Sequence, residues 1–127
     1  KQARGFRKQE SAENREASKR KAILPFTAGV PGWAMTFEEF RNSPSEPSHL
    51  IVPLRALWHD AREGWEIAHR LVQDDVSAEA AWVHAYLHRK EGDSSNARYW
   101  YGRARKPAFE GTLLQEWEGI VRALLSA

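Results

Sequence analysis

His84 and His88 are the two residues of this chain whose types and spacing best suit joint chemistry. Four residues apart on a helix, their rings share one face, with Cβ atoms about 5–6 Å apart. Glu91 follows three residues later on the same side. Two imidazoles in this relation can hold one zinc ion, as they do in HExxH enzymes. Here the run is HAYLH, so the glutamate that serves as general base in that motif is missing. Sequence fixes no third ligand, although His59 or His69 on neighbouring predicted helices could come near. The first expectation is no metal, with His84, His88 and Glu91 as the alternative metal set. The structural reading needs no metal and no cofactor. In it one histidine sits in an interhelix groove, bonded to a backbone group or a carboxylate, and the other lies on the surface. That ordinary reading is the default, because a motif match alone is a hypothesis.

A second group of polar residues, Arg89, Glu91, Asp93 and Asn96, surrounds the Gly92-Asp93 turn. Its structural reading is capping: Asp93 accepts amide protons at a helix start, and Arg89 or Lys90 sits at a helix end where positive charge is favoured. Its functional reading is a recognition site floored by His84, His88 and Tyr99. Tyr99, Trp100 and Tyr101 follow one another on one helix and point about 100° apart. They cannot all enter one core. Tyr101 fits a buried position, so Tyr99 or Trp100 is expected at another interface: the last helix, a second subunit or a ligand. The candidate binding residues are thus His84, His88, Arg89, Glu91, Asn96, Tyr99 and Trp100.

The elements that must position these groups read as helices. Residues 79–107 form two helices folded back across Gly92-Asp93. Ala81, Trp82, Ala85, Tyr86 and His88 recur at three and four on the first, and Ala97, Trp100, Tyr101 and Ala104 on the second. Gly92 suits a left-handed C-cap, and Pro107 ends the second helix. Upstream, Thr36 with Glu39 makes a capping box for a short helix, and residues 42–49 form a proline-containing loop. Pro53 opens a helix with Leu54, Leu57, Trp58 and Ala61 as its stripe, ending near Glu63-Gly64. Trp65, Ala68 and Val72, with Ile67 and Leu71 beside them, mark the next helix, which runs to about Asp74. Ser77 caps the one after. Thr112 caps a last helix with Leu113, Leu114, Trp117, Ile120, Val121, Leu124 and Leu125 as a wide apolar face. Residues 35–127 carry no strand pattern.

The two central hairpins overlay at a 29-residue offset, with Glu63-Gly64 against Gly92-Asp93 and Ala68 against Ala97. The pattern Gly92-Asp93, Ala97, Tyr101, Ala104, with Ala85 in the preceding helix, resembles tetratricopeptide-like repeats. Over about residues 35–106, MTFEEF, LRALWHDAREGWEIAH and WVHAYLHRKEGDSSNARYWYGRA are similar to a group of small bacterial proteins with a tetratricopeptide-like helical fold. The resemblance implies a fold and brings no activity. It departs from the repeat pattern in its 29-residue spacing, where 34 is usual. The first copy also has Glu63-Gly64 in place of Gly-Asp.

Composition narrows the function classes. The 127 residues fit one domain, and six tryptophans, three tyrosines and five phenylalanines can fill its core. There is no cysteine, which removes disulfides, thiolate metal sites and cysteine nucleophiles. No apolar run reaches the roughly 20 residues of a membrane helix. The basic start lacks a secretory hydrophobic block, so the expected location is cytoplasmic. The +2 net charge is uneven: residues 1–34 hold eight Lys/Arg and three Glu, whereas residues 35–127 hold eleven Lys/Arg and fourteen Asp/Glu. The folded part is mildly acidic, which disfavours nucleic-acid binding there. Residues 1–34 read as a basic extension and connector. Met35, the only methionine, is a candidate natural start, with a genuine basic tail as the alternative.

The expected architecture is all-α, with tetratricopeptide-like antiparallel helical hairpins over residues 35–127 and a closing C-terminal helix. With no phosphate loop and no nucleophile elbow, the expected function is non-enzymatic: a helical-repeat interaction or scaffold module. Its partner would be a protein, with a homodimer as one form, and neither membrane nor nucleic acid is expected. The alternative is a metal- or small-ligand-binding protein using His84, His88 and Glu91.

Overall fold

A computed structural model describes residues 35–127 of the chain, which form one compact unit. The expectations for residues 1–34 lie outside the described residues. Six helices and no strands make up the described part: α1 (Phe37–Asn42), α2 (Val52–Asp60), α3 (Trp65–Gln73), α4 (Ala78–Lys90), α5 (Ser94–Ala104) and α6 (Leu113–Leu125). The all-α class expected from the sequence is thus observed.

Side chains set most of the boundaries. Thr36 and Glu39 form the reciprocal capping box at α1. Ser77 Oγ accepts the Ala80 amide at the start of α4, and Asp93 accepts the Asn96 amide at the start of α5. Thr112 and Gln115 form a second capping box at α6, where only the threonine cap is expected from sequence. These bonds satisfy amides that have no partner inside the helix. Helix α5 stops at Ala104, before Pro107, because Arg105 takes a left-handed C-cap at φ 63°.

The turns between α2 and α3 and between α4 and α5 share one geometry at the 29-residue offset. Glu63 and Gly92 both have positive φ, 64° and 91°. The Gly64 amide donates to the His59 carbonyl at 2.8 Å, and the Asp93 amide to the His88 carbonyl at 2.9 Å. Helix α2 ends at Asp60, and residues 61–63 form the turn, slightly earlier than the sequence stripe implies. Ala61 is accordingly exposed.

The main core brings Phe37 and Phe40 of α1, Leu54, Ala56 and Leu57 of α2, Ala68 and Val72 of α3, Val83, Tyr86 and Leu87 of α4, and Trp117, Ile120, Val121 and Leu124 of α6 into one cluster. Phe37 meets the Trp117 ring edge-on at 5.9 Å, and the indole N–H of Trp117 donates to the Leu57 carbonyl at 3.0 Å. A smaller cluster, Ala85, Ala97 and Tyr101, joins α4 to α5. Its small residues let the two helices approach closely. The apolar face of α6 is narrower than its composition implies. Leu114 is 73 % exposed, and Glu116 is buried in the place where an apolar residue would be expected. Ile67 on α3 is likewise exposed.

Candidate metal centre

Helix α4 carries both central histidines, and its four-residue spacing stacks them. The His84 and His88 ring centroids lie 4.8 Å apart with planes 26° apart. Neither ring is at the surface: His84 is 5 % exposed and His88 6 %. The expectation of one buried and one surface histidine is therefore corrected. The α4 face carrying both rings is covered by α3 and α5, through Trp65 and His69 on one and Trp100 on the other.

His69 of α3 supplies the third imidazole. Its Nε2 lies 3.1 Å from Nε2 of His84, and its ring stands edge-on to His84 at 4.8 Å and to His88 at 5.2 Å. One nitrogen from each of His69, His84 and His88 falls within 4.8 Å of the others. Two nitrogens bound at about 2.0–2.1 Å to a tetrahedral zinc ion are about 3.3–3.4 Å apart. The His69–His84 pair thus already has nearly the spacing of one edge of such a site.

Aromatic neighbours fix the rings. Trp65, one turn before His69, stacks on it at 4.8 Å with planes 8° apart and meets His88 edge-on at 6.2 Å. Its indole N–H is anchored on the Leu87 carbonyl at 2.8 Å. Trp100 of α5 stacks on His84 at 3.9 Å. His88 is oriented by polar contact instead: its Nδ1 lies 2.8 Å from Oε2 of Glu91. That bond leaves Nε2 as the His88 nitrogen with no hydrogen bond to the described residues. A carboxylate behind a histidine in this way sets the tautomer and raises ligand basicity in metal sites.

The electrostatics favour the neutral forms of His84 and His69. Burial, then the neighbouring His88 and His69, push His84 down to about 4. Burial and His88 lower His69 as well, partly opposed by Glu91 and Glu66. Neutral imidazoles offer lone pairs, which is the state a metal requires. His84 Nδ1 is buried with no hydrogen-bond partner among the described residues. A buried polar atom of this kind costs about 1–3 kcal/mol unless something outside the protein partners it.

The other sequence candidates divide. Glu91 stands behind His88; it is not grouped with His69 and His84 but falls in a second close group with His88 and Asp93. His59 pairs with Glu46 at 3.3 Å and belongs to another site. Trp100 joins the cluster, whereas Tyr99 is 55 % exposed and accepts a hydrogen bond from Arg103. Asn96 lies against the Asp93 cap. Arg89 turns away to bind Glu116 and the Gly111 carbonyl.

Sequence reasoning missed two buried carboxylates. Glu116 receives Arg89 at 2.8 Å and the Tyr101 hydroxyl. Asp60 receives the Tyr86 hydroxyl at 2.8 Å and Lys90 at 2.9 Å. Burial and the adjacent carboxylates push both tyrosines above their ordinary range. Each carboxylate has a hydroxyl and a cation in place and ties α4 to a neighbour, α6 or α2. They act as fasteners of the fold. No helix among the described residues is long and apolar enough to cross a membrane. The chain matches no protein-family profile, no curated protein and no solved structure.

Proposed function

We propose that this chain is a small helical protein that binds a transition-metal ion of the zinc class through His69, His84 and His88. The observation that carries this reading is the convergence of three imidazole nitrogens, one from each ring, within 4.8 Å. The all-nitrogen donor set suits zinc, cobalt, nickel or copper and does not suit calcium or magnesium. The lowered proton affinities of His69 and His84 and the Glu91 contact behind His88 support the same reading.

The test is metal content of tag-free protein, beside His69→Ala and a His84→Ala/His88→Ala double variant. About one equivalent of metal in the parent, lost in variants that keep their helical circular dichroism, is expected. A parent that is metal-free as purified and takes up neither zinc nor cobalt on addition would overturn the reading.

A second reading, a non-enzymatic helical-repeat interaction or scaffold module, is favoured by the exposure of Leu114 on α6. Its partner would be a protein, including a second copy of this chain, in a bacterial cytoplasm. The matched turns 29 residues apart support a tetratricopeptide-like relationship. A chain that is monomeric at every concentration, with no change on Leu114→Lys, would count against self-association. The two readings are compatible, because the histidines and Leu114 lie on different helices.

A further inference from the structure

We infer that the metal bound by His69, His84 and His88 keeps one coordination position open to an exogenous small anion or water, reached past His69. This inference rests on the metal reading above. It follows from the donor inventory around the three rings. A closed structural zinc site has four protein ligands, whereas a ligand-exchanging site has three and an open position. Among the described residues this set of mutually close donors stops at three, and a second group, His88, Glu91 and Asp93, shares only His88 with it.

The nearby groups among the described residues that could complete the set are otherwise engaged. Glu91 Oε2 holds His88 Nδ1 at 2.8 Å, and a carboxylate in that role is a partner of the ligand and not itself a ligand. Asp93 holds the Asn96 amide at 3.2 Å. Glu66 is exposed and reaches His69 only as a distant charge. Trp65 and Trp100 cover the rings with indole faces, and an indole offers an N–H and no lone pair to a metal. The Trp65 N–H is in any case given to Leu87.

The burial pattern gives the direction of approach. His84 and His88 are buried, while His69 is only partly so. A ligand from solvent therefore arrives on the α3 side. The ion would carry the charge of a divalent metal among neutral imidazoles, so small anions are the ligands that gain most there. Azide, acetate and bicarbonate have the size and lone pairs for one position.

Cobalt(II) is the probe, since it takes zinc geometries and its visible spectrum reports the ligand set. The full chain is loaded with cobalt(II), and azide is then titrated in while the visible bands and the particle size are followed. The expected result is a saturable spectral change at one azide per cobalt, with no change in particle size. A cobalt spectrum indifferent to azide would overturn the inference and leave the metal reading standing. Cobalt-driven dimerisation with an azide-indifferent spectrum would overturn it too, because a second copy would then close the site. Failure to bind cobalt at all would overturn the metal reading itself.

Discussion

His84 has one ring nitrogen on His69 and the other without a partner among the described residues, inside a site that favours the neutral ring. The pH dependence follows from the sign of its shift. Its folded-state pKa, about 4, lies below the ordinary imidazole value, so the unfolded chain takes up a proton first as pH falls. The stability is fully present above the ordinary imidazole range and is lost as pH drops toward about 4. The slope from this one group is at most about 1.4 kcal/mol per pH unit. His69 and His88 face the ring and Trp100 covers it, and a proton on any one imidazole disfavours a proton on the next. Denaturant titrations of metal-free protein between neutral pH and about 4 should show this slope. His84→Gln should flatten it, and an unchanged slope would remove His84 as its source. At the same scale, Glu91→Gln should weaken metal binding about 10–100-fold, since the amide orients His88 less strongly. Competition against a chromophoric chelator reads that change, and equal affinities would show that Glu91 does not position the ligand.

At the scale of the element, the two matched turns give opposite responses to substitution. Gly92 has φ 91° and open space around its missing Cβ, so Gly92→Ala meets only a backbone penalty. That penalty is about 1–2 kcal/mol. Glu63 occupies the corresponding left-handed conformation with a side chain, at φ 64°. Glu63→Gly should therefore stabilise the protein by up to about 1 kcal/mol, less the greater freedom glycine gives the unfolded chain. Urea midpoints of the two variants should move in opposite directions. A stabilising Gly92→Ala would contradict the left-handed turn. Gly64 behaves differently, because an added Cβ would lie 2.8 Å from the His59 carbonyl oxygen and force the backbone apart.

At the scale of the whole molecule, α4 is the member around which the others assemble. It meets α3 and α5 through the histidine cluster, α6 through Arg89 and Glu116, and α2 through Tyr86, Lys90 and Asp60. Glu116→Ala should cost about 3 kcal/mol, since it leaves the guanidinium and the Tyr101 hydroxyl without their shared acceptor. The double variant Arg89→Met/Glu116→Leu should recover the part of that loss that comes from the unpaired guanidinium, while the Tyr101 hydroxyl still lacks Glu116. Urea denaturation of the single and double variants checks both expectations. A single variant as stable as the parent would show that the pair does not fasten α6. On the metal reading proposed above, an ion held by His69, His84 and His88 would act on the same assembly by bridging α3 and α4. Zinc at one hundred times its dissociation constant should add about 2.7 kcal/mol to folding stability. A thermal midpoint that does not move with zinc concentration would deny that linkage.

The chain alone determined its helices and several of their ends, because those depend on neighbours in sequence. Thr36 with Glu39, Ser77, Asp93 and Thr112 meet amides three residues away, and the three-to-four period of Ala81, Ala85, Ala97, Tyr101 and Ala104 needs only the pitch of one helix. The stacked pair His84 and His88 was legible for the same reason. The third imidazole was not, since His69 lies fifteen residues from His84 and only the packing of α3 on α4 chooses it over His59. Tertiary packing also sent Arg89 to Glu116 and placed Trp100 on His84 while leaving Tyr99 outside. The buried Glu116 was the hardest to foresee. In the sequence it is one more charge in an amphipathic helix. Only the arrival of Arg89 and Tyr101 from two other helices makes its burial affordable.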